Sequence, residues 1–120
     1  MTSIQDILHD LGRAPGIKGT AVVTADGIMV ASTLGLEFRD DVVAGLISFL
    51  VSTIRRALQE ATMGAFTRFL MSATHGKVIL TDIGEAFLVV VTDQFADLDL
   101  CTRDVQECAL RLRKLVKIQI

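Results

Sequence analysis

Residues 86–91, AFLVVV, are apolar at every position. A strand with one wet face alternates apolar and polar residues, so an unbroken apolar run belongs to a strand covered on both sides. The stretch therefore predicts a central strand in a sheet with helices on both faces.

The flanking sequence supplies the rest of that sheet. AFTRFLMSA (65–73), THGK, VILTDI, GE and AFLVVVT alternate strand-like runs with short glycine-bearing links, which reads as an antiparallel meander. Its first strand places Phe66, Arg68, Leu70 and Ser72 on one face and Thr67, Phe69, Met71 and Ala73 on the other. Such a mixed pattern suits an edge strand, and edges invite pairing with another chain. Further upstream, TAVVTADGIMVAS holds two β-rich runs around Ala25-Asp26-Gly27, a tight hairpin turn in which glycine supplies the positive φ. Ser3 caps a first helix over Ile4–Leu11, with Asp6 completing a capping-box pattern and GRAPG stopping it. A long helix is expected from about Asp40, as N-cap, to Met63, ended by Gly64. A last helix is expected from about Asp99 to Val116. The order is α-β-β-α-β-β-β-α, an α+β fold whose five-stranded antiparallel sheet lies between helices. Residues 1–120 read as one domain, without repeats or linkers.

The two long helices differ in how much apolar surface they carry. On the last helix Cys101, Val105, Cys108, Ala109, Leu112, Leu115 and Val116 fall within an arc of roughly 120°, which one sheet face covers. The middle helix contains VVAGLISFLVSTI, residues 42–54, thirteen positions without a charge. Its apolar residues span roughly 220°, interrupted only by Thr53 and Glu60, nearly twice what one sheet covers, while Ser48, Ser52, Arg55, Arg56 and Gln59 mark a wetter side. The segment is too short for a membrane helix, which needs about 20 apolar residues. It must be buried by protein, and a second copy of the chain is the expected partner. The interface would comprise Val43, Leu46, Ile47, Leu50 and Ile54 from the helix, with Phe69 and Met71 from the edge strand. A two-fold dimer with antiparallel middle helices and paired edge strands covers both liabilities.

Composition narrows the function. The chain is 51% apolar and 22% charged, with one proline and a formal net charge of −2. No basic run with interleaved aromatics exists along which phosphates could lie, which argues against nucleic acid. The N-terminus lacks an export signal, and a cytoplasmic location is expected. Cys101 and Cys108 lie roughly 10 Å apart along one helix and cannot pair, so they read as buried thiols of a reducing compartment.

Signatures of catalysis are missing. GIKGT (16–20) lacks the spacing and the lysine-hydroxyl pair of a phosphate-binding loop, and HExxH, GxSxG and metal-ligand spacings are absent. No cofactor or metal is expected. His9 and His75 read as solvated surface groups, and Asp82 and Asp93 as turn carboxylates at strand ends. Arg55, Arg56 and Gln59 are the candidate partner-binding residues. The basic pair could meet acidic or phosphate groups of a docked protein, or could simply be solvated charges near a helix C-terminus.

GIKGTAVVTADGIMVAS (16–32), the long apolar helix, and FLMSATHGKVILTDIGEAFLVVVTD (69–93) before a final amphipathic helix together resemble the roadblock / dynein light chain superfamily, and within it the bacterial MglB-like branch. The order and spacing of these segments over nearly the whole chain carry the resemblance. It implies one helix on one sheet face and two on the other, and a homodimer joined through the middle helices and third strands. For function it implies no enzyme, but a regulatory platform for a Ras-like small GTPase that acts in trans; the alternative is a dimeric scaffold without GTPase regulation. A small-ligand sensor is a third class, disfavoured because tryptophan and tyrosine are absent and few polar residues converge on core positions. Many members carry a Leu-Gly pair and a nearby arginine at the start of the last helix. Here ADLDLCTRD (96–104) lacks the glycine, and Arg103 is the residue that could stand in for the arginine.

Overall fold

The computed structural model describes the chain apart from Met1, Leu36 and Ile120; of Leu98, Ile118 and Gln119 it describes the backbone alone. Eight elements follow the expected order: α1 (Ile4–Leu11), β1 (Ile17–Thr24), β2 (Met29–Ser32), α2 (Asp40–Glu60), β3 (Arg68–Ala73), β4 (Gly76–Asp82), β5 (Ala86–Asp93) and α3 (Leu98–Gln119). The strands form one antiparallel sheet in the order β2-β1-β5-β4-β3. The AFLVVV strand is thus central, and β3 is an edge.

Alternation along β5 explains its composition. Phe87 and Val89 point into a core shared with Ala44, Ile47 and Val51 of α2, and Ala21 and Val23 of β1. Leu88 and Val90 point the other way, against Ile7, Leu8 and Leu11 of α1 and Val105, Cys108 and Leu112 of α3. Each face needs its own apolar set, so β5 carries polar residues only at its end, Thr92 and Asp93. The buried Thr20 of β1 is satisfied: its hydroxyl donates to the Leu8 carbonyl at 3.2 Å and lies 2.6 Å from Thr33 Oγ1.

Local chemistry sets the element ends. In α1 the Ser3 hydroxyl accepts from the Asp6 amide and the Asp6 carboxylate accepts from the Ser3 amide. These hydrogen bonds hold the Asp6 carboxyl below its usual range. In the first hairpin Gly27 takes φ +91°, the conformation a side chain resists.

Five ends depart from the sequence reading. The N-cap of α2 is Arg39, without a side-chain cap; Asp40 is already helical and accepts from the Ser32 hydroxyl at 3.1 Å. The helix also stops three residues before Met63, because Thr62 turns left-handed at φ +53°. The Thr62 amide then donates to Gln59 O (3.2 Å) and the Met63 amide to Leu58 O (3.0 Å), the paired closing bonds of a Schellman cap. β3 starts at Arg68 and not Ala65, since Phe66 leaves the strand alternation to pack edge-on against Phe87 at 5.7 Å. α3 begins at Leu98, one residue before Asp99, because the Asp97 carboxylate accepts from the amides of Asp99 and Leu100. It continues past Val116 to Gln119.

Candidate interaction surface

A helix lying on a sheet turns about half its circumference away from it, and on α2 that outward half is apolar from Val42 to Leu50. Ala44, Ile47 and Val51 face the sheet and are buried. Their opposites are Val42, Leu46 and Phe49, which are 47%, 58% and 69% exposed. They recur at four- and three-residue steps, which sets them in one row along the helix. Leu50, half-buried, borders that row.

The residues expected at a self-association interface divide between these faces. Leu46 is on the outward row. Ile47 is 5% exposed and belongs to the core of its own chain, and Val43, Ile54 and Phe69 pack partly buried against the same core. Met71, 41% exposed, lies on the α2 side of the β3 edge, opposite Val78 of β4. Leu70 points to the other side, beside Ile79, and is 47% exposed. Phe49 is missing from the expected interface set although it is the most exposed member of the row. The helical projection contains it. Its importance emerges only once the buried trio fixes which way the helix is turned.

Past Phe49 the outward row turns polar, continuing at the same steps with the exposed Thr53, Arg56 and Glu60, while Ser48, Ser52, Arg55 and Gln59 form a flank. Ser48 donates to the Ala25 carbonyl at 2.8 Å, which ties this flank to the β1–β2 turn. Arg55 lies on the same flank, its guanidinium carbon 5.0 Å from the centroid of the Phe87 ring. That cation–π contact holds Arg55 back toward its own sheet. Gln59, four residues on, continues the flank and is exposed. Arg56 stands apart: seven residues after Phe49, it extends the outward row with an exposed cation.

Elsewhere the chemistry is sparse. Both thiols are buried. Burial, followed by the nearby carboxylates of Asp104, Asp97 and Asp93, raises the Cys101 pKa, and burial pushes that of Cys108 up to about 11. His9 and His75 are both exposed, the latter in the Thr74–His75 turn between β3 and β4. Among the described residues no group of three His, Cys, Asp or Glu side chains could hold a metal ion, and no helix is long and apolar enough to cross a membrane.

Comparison with known proteins agrees with this architecture. Residues 3–92 match the Roadblock/LC7 domain. An uncharacterized protein of Methanocaldococcus jannaschii is 30% identical over 112 residues, covering 93% of this chain and 98% of the relative. Among solved structures, Myxococcus xanthus MglB superposes with a TM-score of 0.92 at 18% identity, over 98% of this chain and 97% of that one. MglB with a tetrameric arrangement gives 0.86 at 16% identity, over 100% and 95%. At such identities these two likenesses establish a shared fold, the one the sequence resemblance implies. With the family match spanning most of the sheet and both α1 and α2, the chain belongs to the Roadblock/LC7 domain family.

Proposed function

We propose that this protein is a one-domain homodimeric regulator whose paired α2 helices form a platform for a Ras-like small GTPase. The exposed row Val42–Leu46–Phe49 carries the reading. Large apolar groups aligned on one helix face forgo roughly 1.5–3 kcal/mol each when left in water, and a two-fold contact recovers this on both copies at once. Leu46, Phe49 and Leu50 form its centre. Met71 extends it to the β3 edge, where a second β3 can pair, while Val43, Ile47, Ile54 and Phe69 support it from beneath. MglB is itself known in a tetrameric arrangement, which supports self-association in this fold.

The GTPase partner rests on the family resemblance, and the surface chemistry suits it. Arg56 and Gln59 offer polar contacts at the margin of an apolar platform. Regulation works by positioning: the platform favours one arrangement of the partner's mobile segments over another. Arg55 is poorly placed to reach into a neighbouring active site, because Phe87 holds its guanidinium. The chain itself neither binds nor hydrolyses GTP.

The test is co-sedimentation of the full-length protein with each Ras-like GTPase encoded in the same genome, loaded with GDP or a non-hydrolysable GTP analogue. A complex with two copies of this chain and a preference for one nucleotide state is expected. Failure with every such GTPase would leave the alternative, a dimeric scaffold.

A further inference from the structure

α3 has a second face that the sheet does not use, and its residues obey a symmetry. Opposite the buried Val105, the positions 100, 103, 107, 110 and 114 follow one another at steps of three, four, three and four, the spacing of a helix seam that meets another helix. They are Leu100, Arg103, Glu107, Leu110 and Lys114, all exposed, with the two leucines 62% and 65% open. Reflected about position 105, Leu100 falls on Leu110, Arg103 on Glu107, and Asp99 beside the seam on Arg111. An antiparallel copy of the helix therefore meets leucine with leucine, Arg103 with Glu107 and Asp99 with Arg111, while Lys114 reflects onto position 96, before the helix begins. The helix dipole explains acids near the start and bases near the end. It explains neither the exposed leucines nor their matched positions. Among the described residues the ion pair within 4 Å is Arg39–Asp41, so there Asp99, Arg103, Glu107 and Arg111 form no ion pair, although Glu107 and Arg111 border the cleft between α3 and α1.

We propose that α3 is a second self-association surface, on which two copies of this chain pack their α3 helices antiparallel about a two-fold axis at Val105. The occupant is a second copy because the complementary charges and the complementary leucine are on this helix. The contact lies on the sheet face opposite α2, so it is independent of the α2 platform and joins platform dimers in pairs. Solvent-exposed ion pairs contribute modestly and are screened by salt. The association is accordingly weak and strongest at low ionic strength.

Sedimentation equilibrium of the full chain at low salt tests this, in the wild type and in a Leu46→Asp/Phe49→Asp background that removes the proposed α2 contact. The wild type should reach four protomers and the α2 variant two. Glu107→Arg, at an exposed helical position, should weaken the remaining association by about tenfold or more, since it sets like charges opposite each other twice. Adding Arg103→Glu restores opposite charges and should return the affinity to within about threefold of the parent. Arg103 and Glu107 are also four apart on one helix, where the same exchange first breaks and then restores an intrahelical charge pair. Thermal unfolding in dilute solution reads that contribution; it should be nearly the same for all three chains, and would overturn the proposal if it alone followed the loss and recovery. Absence of any α3-dependent step at about 1 mM, indifference to Glu107→Arg, or failure of the double variant to recover would each overturn the proposal. Should the Leu46→Asp/Phe49→Asp change leave the wild-type mass unaltered, the platform reading fails while the α3 result still stands on its own.

Discussion

Phe49 and Ile47 of α2 separate the proposed interface from the core. Phe49 is 69% exposed and Ile47 5% exposed, although both belong to the same uncharged run. Fully burying a large apolar side chain contributes up to about 3 kcal/mol, so covering the open two-thirds of Phe49 contributes about 2. Phe49→Ala retains the Cβ and forfeits about 1.5 kcal/mol per copy, hence about 3 per dimer, or roughly 100-fold in dimer Kd. Ile47→Ala instead opens a cavity above Val89 and Phe87 and should cost the fold about 2–4 kcal/mol, which for a chain of this size lowers Tm by about 10 °C. Sedimentation yields the Kd. Thermal unfolding must be followed below the dimer Kd, where association no longer supports Tm. The reasoning fails if Phe49→Ala leaves the Kd unchanged, or if in dilute solution it lowers Tm as much as Ile47→Ala does.

Thr62→Gly should stabilise the chain by about 0.5–1 kcal/mol: relief of a left-handed β-branched residue, about 1–2 kcal/mol, exceeds the added freedom of the unfolded chain, about 0.4–1. Urea unfolding measures it, and a net loss would show that the short Thr62 Oγ1 to Ala61 carbonyl bond (2.7 Å) outweighs the backbone strain. The buried thiols should react with a thiol reagent only slowly until denaturant is added; fast native labelling would contradict the orientation of α3. Because the Cys108 pKa is raised from 9.0 to about 11 in the folded state, the unfolded chain loses that proton first as pH rises. Below pH 9 both states hold it and the stability is intact; between pH 9 and 11 the fold should lose about 2–3 kcal/mol. Cys108→Ala should remove that loss in a pH series of unfolding curves, and an unchanged pH slope would count against the thiol as its source.

What could be read from the chain followed from repeating physical patterns. The apolar run of β5, the narrow arc of the last helix and the glycine at position 27 each have one structural solution, and the central place of β5, its two covered faces, the first hairpin and the buried cysteines came from them. What escaped reading depended on single contacts. Nothing local signals that Thr62 should adopt a conformation usually left to glycine, so α2 was expected to run on to Met63. Phe66 alternates correctly for a strand but is drawn toward Phe87 across the core. The candidate surface was legible as an excess of apolar residues on α2, yet the orientation of the helix was not. Ile47 and Phe49 exchange roles according to which side of the arc meets the sheet, and Arg55 looked outward until the ring of Phe87 gave it a partner.

The central claim, that the α2 platform governs a GTPase by positioning, is tested most directly by single-turnover GTP hydrolysis in the cognate Ras-like GTPase at saturating concentrations of this protein. A platform predicts a rate altered by the wild type and retained by Arg55→Ala and Arg56→Ala once each is saturating. A bound GTPase whose rate does not change would contradict regulation, and loss of about 10³ or more on removing either arginine, with binding intact, would show an inserted arginine and not a platform.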